Sequence, residues 1–171
     1  MPDFNYALAA LGATVTVSNF TTGNPGDHTI DGSETTFWGI VNNTSANYCK
    51  IDLGAPQYIT NARLNAGGGA DVNDVWGLQY SDDGTNWNNV GVAFDTVGDE
   101  TLPTGGLTYR YWRIYYAANI GTGRMVYAFE LLGPVEAPPP PTNPVTTYIQ
   151  AWLDGLEANY VPDVADWLAA Q

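Results

Sequence analysis

The stretch Trp76-Gly77-Leu78-Gln79-Tyr80-Ser81-Asp82-Asp83-Gly84 decides the fold class. A short run rich in strand formers stops at Asp-Asp-Gly, a tight-turn signal that sends the chain back on itself. Trp87, just past the turn, is expected to close the hairpin. Runs of the same kind lie on either side. Thr14-Val15-Thr16-Val17-Ser18 is β-branched. Tyr48-Cys49-Lys50-Ile51-Asp52-Leu53 alternates, with Cys49, Ile51 and Leu53 on one face. Ile59 to Leu64, Tyr111-Trp112-Arg113-Ile114-Tyr115-Tyr116 and Val126-Tyr127-Ala128-Phe129-Glu130-Leu131-Leu132 complete the set. Short strands separated by Gly and Asn turns predict an all-β fold, an antiparallel β-sandwich or jelly roll.

The composition narrows the function. The chain has 171 residues, 18 of them acidic and 5 basic, for a formal charge of −13. No basic stripe exists to displace phosphate counterions, which argues against nucleic acid. No stretch approaches ~18 consecutive apolar residues, so no membrane insertion is expected. The start, Met1-Pro2-Asp3-Phe4-Asn5, has no basic region or apolar run of a secretory signal. One cysteine, Cys49, allows no internal disulfide, and one histidine, His28, cannot build a common zinc site alone.

The character of the chain changes at Gly133. Residues 134–144 include Pro138-Pro139-Pro140-Pro141, an extended spacer. Residues 145–171 have helical spacing: Ile149, Trp152, Leu153 and Leu156 fall on one stripe, and Trp167 and Leu168 belong to a second. A segment this short cannot bury such a stripe within itself. The expected organisation is a β-sandwich over 1–133, a Pro-rich linker over 134–144, and an amphipathic helical tail over 145–171 that docks on another protein or on a copy of the same chain. Folding back on the sandwich is the alternative.

Several of these runs, in order, form a pattern. Asn5-Tyr6-Ala7, Ile30-Asp31-Gly32-Ser33-Glu34-Thr35-Thr36-Phe37-Trp38, Ile51-Asp52-Leu53-Gly54, Tyr80 to Trp87, Arg110-Tyr111-Trp112-Arg113-Ile114 and Phe129-Glu130-Leu131-Leu132-Gly133 together resemble the discoidin domain, or coagulation factor 5/8 C-terminal domain. Family 32 carbohydrate-binding modules and fucose lectins share its galactose-binding-like fold. The resemblance covers about residues 4–133.

The resemblance implies a structural calcium. By position Asp31 and Glu130 would supply carboxylates, Thr36 a hydroxyl and carbonyl, and His28, Ser33 and Phe129 backbone carbonyls. Those hard oxygens on a tight loop suit calcium. Alternatively Asp31-Gly32 is only a turn and Glu130 a paired edge carboxylate. The resemblance also places a sugar pocket on loops at one end of the sandwich. Lectin members use a histidine and arginines there. Here Gly39 stands near the histidine position, and residues 65–74 contain no arginine. The same loops offer Asn43, Asn65, Asp71, Asn73, Trp76 and Arg124, whose amides, charges and aromatic face suit sugar hydroxyls and pyranose rings. Their other reading is turn residues and a core tryptophan.

Trp38, Trp87 and Trp112 are expected to pack in the core, Arg113 to be an ion-pair partner, and Cys49 to be an inert buried thiol. No nucleophile-elbow, phosphate-loop or metallohydrolase spacing is present, so no enzyme is expected. The functional expectation is a non-catalytic carbohydrate-binding or adhesion module, meeting a cell-surface glycan. A lone module without a secretion signal, ending in a spacer and an amphipathic segment, suits a virion component. Such a bacteriophage fibre or capsid-decoration protein would be made in the host cytoplasm, held in an oligomer or larger assembly by its tail. A decoration or joining protein without sugar binding, and an extracellular bacterial lectin, are the alternatives.

Overall fold

The computed structural model describes residues 3–41, 47–67, 75–94, 98–118 and 124–134. The linker and the tail residues Ile149, Trp152, Leu153, Leu156, Trp167 and Leu168 lie outside the described residues, as do Asn43, Asp71 and Asn73.

Among the described residues the chain forms β1 (Phe4–Asn5), β2 (Thr14–Val17), β3 (Trp38–Gly39), β4 (Tyr48–Gly67), β5 (Val75–Ser81), β6 (Asn88–Phe94), β7 (Gly98–Ala118) and β8 (Met125–Gly133). Two short 3-10 turns, Ala9–Leu11 and Gly26–Thr29, are the helical content described. Every ladder is antiparallel. The strand order is β1-β8-β4-β7-β5-β6, with β2 added to β4 and β3 to β8.

Two long strands organise both layers. The first part of β4 pairs with β2 and with the last part of β7, whereas its second part pairs with β8 and the first part of β7. Register shifts between Asp52 and Gln57 and between Ile59 and Asn61 separate the two parts. Such bulges bend a strand, so β4 and β7 pass from one layer of the sandwich into the other.

The alternation expected for residues 48–53 is present: Cys49, Ile51 and Leu53 are buried and Tyr48, Lys50 and Asp52 face outward. Across the layers they join Trp38, Trp76, Leu78, Trp112, Ile114, Phe129 and Leu131 in one core. Trp38 and Trp112 have no exposed surface, as expected of packing residues. The Trp38 indole N–H also donates to the Asn19 carbonyl (2.7 Å), fixing the 19–24 loop beside β3. The turn after β5 is as the sequence implied. Buried Ser81 Oγ accepts from the N–H groups of Asp83 and Gly84, and Asp83 accepts from Thr85 and Asn86 at 2.8 Å each. These donors hold the Asp83 carboxyl well below its usual range.

Candidate glycan-binding site

At the β3–β8 side a turn creates a depression. Thr21 and Asn24 bridge to each other, and the turn lies on β3: Thr21 N–H donates to the Gly39 carbonyl (2.7 Å) and Gly39 N–H to the Asn24 carbonyl (3.1 Å). A Cβ on Gly39 would collide with Thr21 Oγ1. Glycine is therefore what allows the turn to seat there, which explains why no histidine occupies this position. β3 in turn pairs with β8, Gly39 opposite Met125, and Ile40 N–H donates to the Arg124 carbonyl (3.1 Å). The result is a depression of about 320 Å³ walled by Thr21, Asn24, Phe37, Gly39, Arg124 and Met125. The Thr21 hydroxyl, the Asn24 amide and the Phe37 ring are group types that suit the hydroxyls and ring face of a sugar.

Of the sugar-binding residues expected from sequence, Arg124 reaches this depression, although it is only 3% exposed. Trp76 does not serve as expected. It is 1% exposed and stacked on Tyr116, with ring centroids 4.0 Å apart, so neither face is available to a pyranose. Alternation along β5 turns Trp76 and Leu78 inward and Gln79 outward. Asn65 donates its amide to Glu34. Thr21, Asn24 and Phe37 were not singled out from sequence; the signal for the first two was a Thr-Thr-Gly-Asn-Pro-Gly turn that looks like an ordinary loop, and Phe37 lay within the Ile30–Trp38 run.

The residues expected to hold calcium lie on the neighbouring loop and on β8. Asp31 Oδ1 accepts the Ser33 N–H (2.8 Å), and Asp31 Oδ2 accepts the Thr36 hydroxyl (2.6 Å). Gly32, at φ +78°, makes the turn between them. His28 Nδ1 lies 3.0 Å from the Phe37 carbonyl, and Phe129 is fully buried. Glu130 is engaged by Arg63 Nη1 at 3.1 Å. Among the described residues no group of three or more His, Cys, Asp or Glu side chains is placed to hold a metal ion. Asp31 thus serves a turn and Glu130 an ion pair, which is the alternative reading of these residues, while both carry oxygens of the hard type calcium prefers.

Arg63 is the centre of the ionic structure here. It grips Asp99 with two bonds of 2.7 Å, and reaches Glu34 at 2.9 Å as well as Glu130. These carboxylates, Asp99 foremost, push the guanidinium above its ordinary value, and the guanidinium in turn holds Asp99 below its own. The cluster ties the 31–36 loop to β4, β7 and β8. Elsewhere Arg110 holds Asp52 in a two-pronged bond and lowers it likewise.

Arg113 departs from expectation. It has no carboxylate partner among the described residues. Its Nε donates to Gln79 Oε1 (2.7 Å), and its guanidinium lies 4.2 Å from the Trp87 ring centroid. Trp87 is accordingly half-buried under a cation and not part of the core. Cys49 is fully buried, its thiol pushed up to about 12 by that burial, an inert thiol as expected.

The model of the F5/8 type C domain matches residues 13–131. No curated protein sequence matches the chain. Among solved structures, chitosan-binding module 1 of a chitosanase/glucanase from Paenibacillus sp. IK-5 is 26% identical, with a TM-score of 0.64, over 76% of this chain and 99% of that one. Module 2 of the same enzyme, in complex with chitotriose, is 26% identical, with a TM-score of 0.62, over 75% and 100%. A GH29 fucosidase from Ruminococcus gnavus in complex with fucose shares the fold at 19% identity and a TM-score of 0.63, over 78% of this chain and 27% of that one.

Proposed function

The chain belongs to the F5/8 type C domain family, and on that footing we propose that it is a non-catalytic carbohydrate-binding module whose ligand is a short amino-sugar oligomer. The observation that carries this reading is the 26% identity, along almost the whole length of the modules, to two chitosan-binding modules. Two further features support it. The depression beside Phe37 and Arg124 has the mix of aromatic and polar groups a pyranose needs. A net charge of −13 also draws a protonated amino-sugar polymer toward the protein.

Titration calorimetry with chitotriose tests it. Binding is expected, and Phe37→Ala and Asn24→Ala should each weaken it by roughly tenfold, the loss of one good contact. Absence of binding, or binding unaltered in both variants, overturns the reading.

Calcium belongs to the same proposal. Held by Asp31, Thr36 and Glu130 with the carbonyls of His28, Ser33 and Phe129, it would pin the 26–36 segment to β8. A native-state ligand raises the melting temperature by mass action, so chelation should lower it and added calcium restore it. An unchanged melt on demonstrably metal-free protein removes calcium from the reading. The proposed setting is a virion fibre or decoration protein anchored through the apolar stripes of residues 145–171, supported by the Pro-rich spacer and the helical spacing of that sequence. Co-purification of the full chain, but not of a variant with Trp152 and Leu156 changed to Ser, with a particle shell is the expected result.

A further inference from the structure

The chain has only five basic residues against eighteen acidic ones. Arg63 and Arg110 are clamped by carboxylates. Arg113 and Lys50 are not: among the described residues neither has an ion-pair partner. They are also Cα partners across β4 and β7, so two cations face each other on the outward side of the sheet. Like charges directly opposite are destabilising. The Asp52 carboxylate feels the Lys50 charge but is held by Arg110, so no carboxylate among the described residues bonds either cation and their remaining donors stay available to a ligand.

The surroundings are those of a sugar surface. Arg113 lies 4.2 Å from the Trp87 ring centroid, 5.9 Å from that of Tyr115 and 6.0 Å from that of Tyr48. A Cβ on Gly77 would collide with the Tyr115 ring, so the absent side chain lets that ring lie against β5. Beyond it, Gly77, Gly91 and Ala93 present little or no side chain, leaving a groove of about 250 Å³ between Tyr115 and Asn89. A chain of amides joins groove and cation: Arg113 donates to Gln79, and Gln79 donates to Asn89 Oδ1 (2.7 Å).

We infer that this sheet face is a second glycan site, selective for an acidic pyranose of the uronate class. The carboxylate meets Arg113 and Lys50, and the ring rests on Tyr115 in the groove. A planar carboxylate matches the guanidinium fork. Nε is already taken by Gln79, which holds the fork in orientation and leaves the terminal nitrogens for the ligand. The ligand class rests on the glycan-binding reading above, but none of these residues belongs to the Phe37–Arg124 depression.

The full chain is titrated with trigalacturonate, with a neutral galactose trisaccharide and with chitotriose. Trigalacturonate should bind more tightly than the neutral trisaccharide and weaken as salt rises from about 0.05 to about 0.5 M. Arg113→Gln and Lys50→Gln should each weaken it by roughly tenfold, leaving chitotriose binding unchanged. Phe37→Ala should show the reverse pattern. Lys50→Gln removes an outward side chain, so its fold is retained, and circular dichroism checks both variants. The proposal is overturned if trigalacturonate fails to bind at millimolar concentration. It is equally overturned if the neutral sugar binds as well, or if trigalacturonate binding survives both cation variants or is lost in Phe37→Ala. Trigalacturonate binding through Arg113 with no chitotriose binding upholds this site and overturns the loop site.

Discussion

The two faces of β5 and β7 both carry aromatic rings and behave in opposite ways. Inward, Trp76, Leu78, Trp112, Ile114 and Tyr116 are at most 1% exposed and form the middle of the core. Outward, one residue along in each case, Gln79, Arg113 and Tyr115 stay accessible and are joined by hydrogen bonds and cation–π contacts. Aromatic content therefore does not show which rings of this sandwich are accessible; the parity of a residue along its strand does. Inward rings serve cohesion, and outward rings are those a ligand can reach.

The sharpest way to break this contrast is Trp76→Ala. Removing a fully buried indole should cost about 3–5 kcal/mol, visible as a large fall in melting temperature by circular dichroism. A cost below about 1 kcal/mol would mean that Trp76 faces outward after all. Arg63→Ala comes next. It leaves Glu34, Asp99 and Glu130 facing one another without their cation. The carboxylates of Glu34 and Asp99 are about half exposed, so solvent screening holds the expected loss to about 1–2 kcal/mol.

Acid sharpens the same point. The Asp52 and Asp99 carboxyls are held below their ordinary value by Arg110 and Arg63. Their contribution is thus fully present above the unfolded carboxyl range near pH ~4 and is lost as pH falls through the lowered folded values. Melting temperature should decline on that acid side, and Arg63→Ala should flatten the part of the decline that belongs to Asp99. The smallest effect is expected from Tyr115→Ala, a change of no more than about 0.5 kcal/mol in denaturant unfolding. Its outward ring contributes little to the core. A loss as large as that of Trp76 would erase the distinction between the faces.

Much of the fold was legible because alternation and turn chemistry are local. The burial of Cys49, Ile51 and Leu53 follows from period two alone, and the Ser81–Asn86 turn from Asp-Asp-Gly. The site was less legible because its determinants are relations between distant residues. Nothing near Glu130 in sequence reveals Arg63 as its partner. Nothing in Trp87 reveals the guanidinium stacked on it. Trp76 could be assigned to either face until its strand neighbours were known, since β5 shifts register against β7 between Val75 and Trp76. The Thr21–Asn24 turn becomes a wall only because Gly39 lets it lie on β3.

One edge of the sandwich bears on how it responds to force. β1 pairs with the end of β8, Phe4 opposite Gly133 and Asn5 opposite Leu132, and the Tyr6 hydroxyl donates to the Pro134 carbonyl (2.7 Å). Asp3 and Pro134 thus leave the β-layers side by side. Tension pulling those two points apart acts across an antiparallel pair and opens its bonds one after another, as a zipper opens, without shearing the whole ladder together. Because β1 is only two residues long, the first yield under load peels off Phe4–Asn5 and lets out slack, while the ladder between β4 and β7 still carries the core.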